Sequence, residues 1–200
     1  MHPSGLFKVE DETALLAHLA AFPFSTFAGS GGGRAVVAHT PVIPRRIDGA
    51  LVLDFHLSRG NALTPAVADG FRAVAVSLAA DAYVSPDWYA NTDSVPSWNY
   101  VSVEVEGPVT VLDEVGLIAV VDDLSVMEEA RLLPKPPWTR DKMSPGKFRG
   151  LLRGIVGARM VVERFEGTSK LSQNKTQADR LGVMAALADH PIGRRMRDLG

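Results

Sequence analysis

Apolar residues recur at every second position over much of the chain. In Ala50–Leu57, ALVLDFHL, the residues Leu51, Leu53, Phe55 and Leu57 share one face, which predicts a strand with one side buried. Residues 98–113, WNYVSVEVEGPVTVLD, place Val101, Val103 and Val105 in strict alternation; a long strand is expected there, turning at Gly107-Pro108 into a second. Strand-like runs also occupy PFSTFA (23–28), RAVVAHTPVI (34–43), FRAVAVSLAA (71–80) and the segment 158–165. The glycine-rich stretch 29–33 between the first two reads as a hairpin turn, because a phosphate cradle of the P-loop kind needs a helix to follow it. Helical spacing is rarer. It is found in 10–21, where Leu15, Leu16 and Leu19 follow an acidic first turn, and in LTPAVADG (63–70). A longer helix is expected within 113–133, with Leu117, Val121, Leu124 and Met127 on one stripe, and a last one over about 175–189. Residues 132–147, LLPKPPWTRDKMSPGK, read as an irregular excursion. About six strands with peripheral helices predict a mainly β, α+β fold: an antiparallel, barrel-like sheet in a single domain over 1–200, the last helix an appendage.

Composition narrows the function classes. Two hundred residues with 46% hydrophobic and 22% charged content are an ordinary globular chain, and no run of about 18 apolar residues or basic-then-apolar leader is present, so a soluble, cytoplasmic protein is expected. There is no cysteine, which excludes disulfides, thiolate metal sites and cysteine nucleophiles. Net charge −2 and a pI of about 6.2 count against a nucleic-acid footprint, as does the lack of a helix-turn-helix pattern; Arg45-Arg46 and Arg194-Arg195-Arg197 read as solvated surface. The five histidines show no metal-ligand spacing, so no metal site is expected.

Two stretches carry candidate chemistry. Residues 83–100, YVSPDWYANTDSVPSWNY, hold all three tyrosines and two of the three tryptophans. Rings with polar tips suit a ligand wall that is apolar on one side and wet on the other, and equally suit a small core that pins a long loop. Ser58-Arg59-Gly60-Asn61 ends a strand just before a helix. Backbone N–H groups, a hydroxyl and a guanidinium suit a phosphate monoester there; alternatively Ser58 or Asn61 caps the helix and Arg59 is surface. A flat, anionic, aromatic ligand such as FMN would satisfy both stretches, although composition does not select it.

The segments AHTPVI (38–43), HLSRGN (56–61), AYVSPDWY (82–89), VPSWNY (95–100), LLRGIVG (151–157) and KLSQNK (170–175) together resemble the PaiB family. These are bacterial FMN-binding split-barrel proteins described as negative transcriptional regulators of protease synthesis and sporulation. The segments follow the family's order over nearly the whole chain; HLSRGN departs from its usual form, which has Ala before Arg and commonly Pro after Asn. The resemblance implies a homodimer with FMN at the subunit interface. It implies that Ala38, His39 and Thr40 line the isoalloxazine and that Ser58, Arg59, Gly60 and Asn61 hold the phosphate. Trp98, Asn99, Lys170 and Gln173 would contact or wall the flavin, partly from the partner subunit. Regulation through the flavin or by an indirect route is the first functional expectation and an FMN-dependent oxidoreductase the alternative. Haem binding, with His39 or His56 as axial ligand, is a third.

Overall fold

In chain order the elements are β1 (Lys8–Val9), α1 (Glu12–Ala21), β2 (Phe24–Gly31), β3 (Arg34–Pro41), β4 (Ile43–Ile47), β5 (Ala50–Ser58), α2 (Thr64–Asp69) and β6 (Phe71–Val84). There follow β7 (Ser97–Val111), α3 (Glu114–Ala130), α4 (Lys147–Leu152), β8 (Ile155–Val161), β9 (Arg164–Lys170), α5 (Gln177–Ala186) and α6 (Pro191–Asp198). This computed structural model describes residues 2–199. The strands are hydrogen-bonded in the order β3-β2-β6-β7-β8-β5-β4, with β9 also beside β7 and β1 beside β9. The β1–β9, β2–β3, β2–β6, β4–β5, β5–β8 and β7–β8 ladders are all antiparallel. The expected class, mainly antiparallel β with helices, is the one observed.

Among the described residues the strands number nine rather than about six, for identifiable reasons. The β2–β3 hairpin turns as expected on Gly32 and Gly33, whose φ of 59° and 75° fit a two-residue turn. A second such hairpin, β4–β5, turns on Asp48 and Gly49 with φ of 50° and 84°. Its Asp-Gly pair is a readable turn signal, and the expected single strand over 34–43 is divided between β3, which ends at Pro41, and β4, which begins at Ile43. At Gly107-Pro108 the chain does not turn: β7 runs straight through from Ser97 to Val111. Pro108 precedes the rungs Val109↔Met160, Thr110↔Arg159 and Val111↔Ala158, so its missing N–H costs no rung of this ladder. A Cβ on Gly107 would lie 1.8 Å from the Val161 carbonyl oxygen, so glycine is there for close backbone approach rather than for a turn. In α3 the buried stripe is Leu117, Val120 and Leu124.

The chain forms two compact units. One is built from Leu19–Val76 and Val105–Arg164, the other from the segments up to His18, Ser77–Glu104 and from Phe165 onward. The boundaries fall inside α1, β6, β7 and β9, so the chain crosses four times within elements and leaves no linker for composition to reveal. The first unit is centred on Phe27 and Phe55, both 0% exposed, with ring centroids 4.2 Å apart at 30°. On the other face of β5, α3 packs over β4, β5 and β8 through Val120 and Leu124 against Ile43. Asp54 is buried beneath this helix and receives three guanidinium bonds, from Arg45 Nε (3.0 Å), Arg159 Nε (2.7 Å) and Arg159 Nη2 (2.8 Å).

The second unit gathers Val84, Tyr89, Leu171, Val183, Ile192 and Met196 in one buried cluster. The helix expected as an appendage is α5, and its Val183 is fully buried there. Helix α6 was not foreseen, because its only large apolar residues are the i, i+4 pair Ile192 and Met196 among charges. The basic run there is partly structural: Arg194 and Arg197 donate to the carbonyls of Asp189 and Ala188 beyond the end of α5.

Candidate functional site

In the first unit, strand alternation separates the three residues of 38–40. Ala38 and Thr40 are buried, whereas His39 is exposed on the opposite face. Thr40 Oγ1 donates to the His56 carbonyl at 2.7 Å, tying β3 to β5 two residues before Ser58. His39 Nδ1 lies 3.0 Å from Thr26 Oγ1, its rung partner on β2, and its ring stacks on Phe24 at 6.3 Å and 23°. Phe24 and Val37 are 67% and 54% exposed on the same hairpin face, which therefore presents an uncovered aromatic and aliphatic surface around an imidazole.

The Ser58–Asn61 segment is a tight turn held mostly by its own groups. Asn61 Oδ1 accepts from Leu63 N–H (2.9 Å), Ser58 Oγ accepts from Gly60 N–H (3.3 Å), and the Ser58 carbonyl takes the Thr64 hydroxyl (2.7 Å). Asn61 thus supports the turn that leads into α2 without capping it: the N-cap position is Leu63, which has no side-chain cap. Arg59 is not idle surface. Its N–H donates to Gly154 O (2.9 Å) and its Nε to Arg153 O (2.8 Å), docking the turn on the segment after α4. Beside it opens a cleft of about 510 Å³, lined by the basic side chains Arg59, Arg149 and Arg153 together with Thr64, Asp113 and Glu114. Of its two carboxylates, Asp113 is committed to the α3 N-terminus, accepting from Gly116 N–H at 2.7 Å. None of the three arginines has an ion pair among the described residues. Arg149 and Arg153 were missed in the sequence because they lie about ninety residues from Arg59 and only the fold unites them.

In the second unit, the aromatic stretch divides by role. Trp88 and Tyr89 pack into the buried cluster, and the loop is anchored where Ala90 N–H donates to Asp179 Oδ1 (2.9 Å). Tyr83 and Trp98 are exposed and meet edge to face at 6.1 Å and 75°. Trp98 and Asn99 are neighbours on β7 and point to opposite faces. Asn99 is only 1% exposed, its Nδ2 donating to Ser172 Oγ at 2.9 Å. Gln173 bonds to backbone, accepting from Leu171 N–H and donating to the Ser169 carbonyl, so it closes the KLSQNK turn. Lys170 Nζ donates to Ser97 Oγ at 2.9 Å and lines a cavity shared with Asn99. The expected residues thus fall into two groups: 38–40 with 58–61 in one unit, and Trp98, Asn99, Lys170 and Gln173 in the other.

His18 is buried and His56 half-buried. Burial holds the pKa of His18 below the usual histidine value, aided by the positive charge of Arg195 and opposed by the Ser77 carbonyl. Partial burial likewise lowers that of His56, whose Nδ1 has no hydrogen-bond partner among the described residues. Unfolding frees both rings to take a proton near pH 6.5, so the unfolded chain binds more protons as pH falls and stability drops with it. The expected result in urea denaturation is stability that is full above about pH 7 and declines below about pH 6.5, by up to about 1.4 kcal/mol per pH unit for each histidine. His56→Leu should remove part of that slope; an unchanged slope would assign the dependence to other groups.

Residues 1–164 match the family described as "Putative FMN-binding domain". The chain is 26% identical over 196 residues to Protease synthase and sporulation protein PAI 2 of Bacillus subtilis, covering 96% of this chain and 93% of that protein. Among solved structures it is similar to the FAD and haem binding protein from Mycobacterium smegmatis, with a TM-score of 0.57 and 18% identity over 87% of this chain and 78% of the other. It is also similar to the flavocytochrome Anf3 from Azotobacter vinelandii, with a TM-score of 0.53 and 17% identity over 85% and 72% of the two chains. These likenesses show a shared fold. With most of its length matched, the chain belongs to the FMN-binding domain family of PaiB type.

Proposed function

We propose that this protein is an FMN-binding homodimer whose phosphate site is the arginine cleft beside Arg59 and whose isoalloxazine site is the outward face of the β2–β3 hairpin. The observation that carries this reading is the set of three guanidiniums, Arg59, Arg149 and Arg153, that have no ion pair among the described residues and line one cleft next to the Ser58–Asn61 turn. A phosphate monoester carries about two negative charges near neutral pH and accepts bidentate bonds, which guanidinium forks donate well. The Ser58 hydroxyl accepts from Gly60 and keeps its own proton to donate. The exposed Phe24, Val37 and His39 suit one face of a flat ring system that a partner subunit would cover, and Trp98 suits a wall contributed to it. A bound flavin supplies the redox chemistry; the residues here supply binding, orientation and charge. Membership of a family with a protease-synthesis and sporulation protein supports a regulatory role, and the net charge of −2 favours one exerted through the flavin rather than by direct contact with DNA. No helix among the described residues is long and apolar enough to cross a membrane, which accords with residence in the cytoplasm.

The test compares two ligands. Arg59→Ala should weaken FMN by about 1.5–3 kcal/mol, roughly 10- to 150-fold, and riboflavin, which lacks the phosphate, by far less. Equal losses would remove Arg59 from the phosphate site. A wild-type protein that neither carries nor binds flavin would sink the reading as a whole.

A further inference from the structure

We propose that the second unit carries a binding site for a small aromatic anion, a ring bearing a carboxylate or a phosphate ester, in the cavity between Lys170 and Lys175. The cavity measures about 330 Å³, is contained within that unit, and shares no lining residue with the arginine cleft. Its charge is one-sided. Both lysines line it, no aspartate or glutamate does, and neither ammonium has an ion pair among the described residues. Two cations in a concave site without a counter-ion create a positive potential that a bound anion would relieve.

The ammonium groups are also held in place. Lys170 Nζ donates to Ser97 Oγ, and Lys175 Nζ donates to Ser94 Oγ, each at 2.9 Å. Lys175 lies 4.3 Å from the centre of the Tyr89 ring and Lys170 lies 5.9 Å from that of Phe7. Each ammonium has three protons, so each keeps donors to spare. Asn99 and Ser172, bonded to each other in the cavity wall, add neutral polar groups fixed by burial. The rings of Phe7 and Tyr89, with Pro96, give the remaining wall an apolar surface on which a ring can rest. The volume lies at the lower end of the range for small-molecule sites, which favours a single-ring ligand. This inference does not rest on the flavin reading.

The experiment is calorimetric titration of the purified protein with phenyl phosphate and benzoate, with benzamide as a neutral analogue. Phenyl phosphate is expected to bind at least about tenfold more tightly than benzamide, and Lys170→Gln and Lys175→Gln should each weaken it by about tenfold, the loss expected for one charge-assisted contact. Lys175→Arg, which keeps the charge, should stay within a few fold. Comparison of phenyl phosphate with benzoate tells which anion the site prefers; either preference supports it. Circular dichroism separates a misfolded variant from a binding defect, and the lysine that tolerates substitution then carries the test. Four results would overturn the proposal: no binding of either anion at millimolar concentration, equal binding of benzamide, unchanged affinity in the folded lysine variants, or competitive displacement by FMN of the lysine-dependent binding, which would make the cavity part of the flavin site.

Discussion

Asp54→Asn is expected to destabilise the protein by about 3 kcal/mol, near the lower end of the 3–5 kcal/mol that follows when one member of a buried ion cluster is removed. The carboxylate is 2% exposed and accepts all three guanidinium bonds described above. An amide of the same shape supplies one acceptor oxygen and points its NH2 group at guanidiniums that have only donors. Arg45 keeps a second partner in Asp123, whereas Arg159 has no other carboxylate among the described residues. The lower end of the range is chosen because both arginine side chains are 28% exposed, so water takes over part of their solvation. Urea denaturation at pH 7 measures the loss. The double variant Asp54→Leu with Arg159→Met should recover much of it, because the cost lies in stranding a charge rather than in losing an attraction. A single-variant loss below about 1 kcal/mol would show that solvent reaches the site freely.

Phe27→Ala should cost about as much, on the order of 3–5 kcal/mol, by a different route. Phe27 is completely buried on β2, and its loss leaves a ring-sized cavity against Phe55, with the strands on both sides hydrogen-bonded and unable to collapse into it. Phe27 and Thr26 occupy opposite faces of β2, so the same truncation tests whether the core positions the outward face that carries His39. In a double-mutant cycle, Phe27→Ala and Phe55→Ala should couple by about 0.5–1.5 kcal/mol. Additive losses would mean that each ring is held by its other neighbours.

Much of the scaffold was legible because its signals are local. Alternation in 50–57 and the glycines at 32–33 report backbone geometry within a few residues, and the structure has a strand and a turn there. What was not legible depends on contacts far along the chain. The Gly107-Pro108 pair has the composition of a turn, yet it sits inside a strand because the Val161 backbone crosses close to it. Helix α6 carries too few apolar residues to announce itself and is defined by what Ile192 and Met196 meet in space. The same holds for the candidate sites. Arg59 could be singled out from its turn, whereas Arg149 and Arg153 could not, and Lys175 gained meaning only beside Lys170 and the Tyr89 ring. The aromatic stretch was ambiguous in sequence because both readings hold in part: Trp88 and Tyr89 pin the loop, while Tyr83 and Trp98 are left facing outward.

The four crossings between units bear on where this protein can be cut. The family match ends at residue 164, where β9 begins, but that is not an end of the folded body. A fragment stopping there would leave Lys8 and Val9 without their ladder partners, Thr168 and Gly167. It would also take Leu171, Val183, Ile192 and Met196 away from Ala82, Val84, Tyr89 and Val101, baring half of a cluster that is buried in the longer chain. The end of the family match and the end of the folded core are therefore different boundaries, and residues 165–199 supply half of a buried cluster whose other half comes from 82–101.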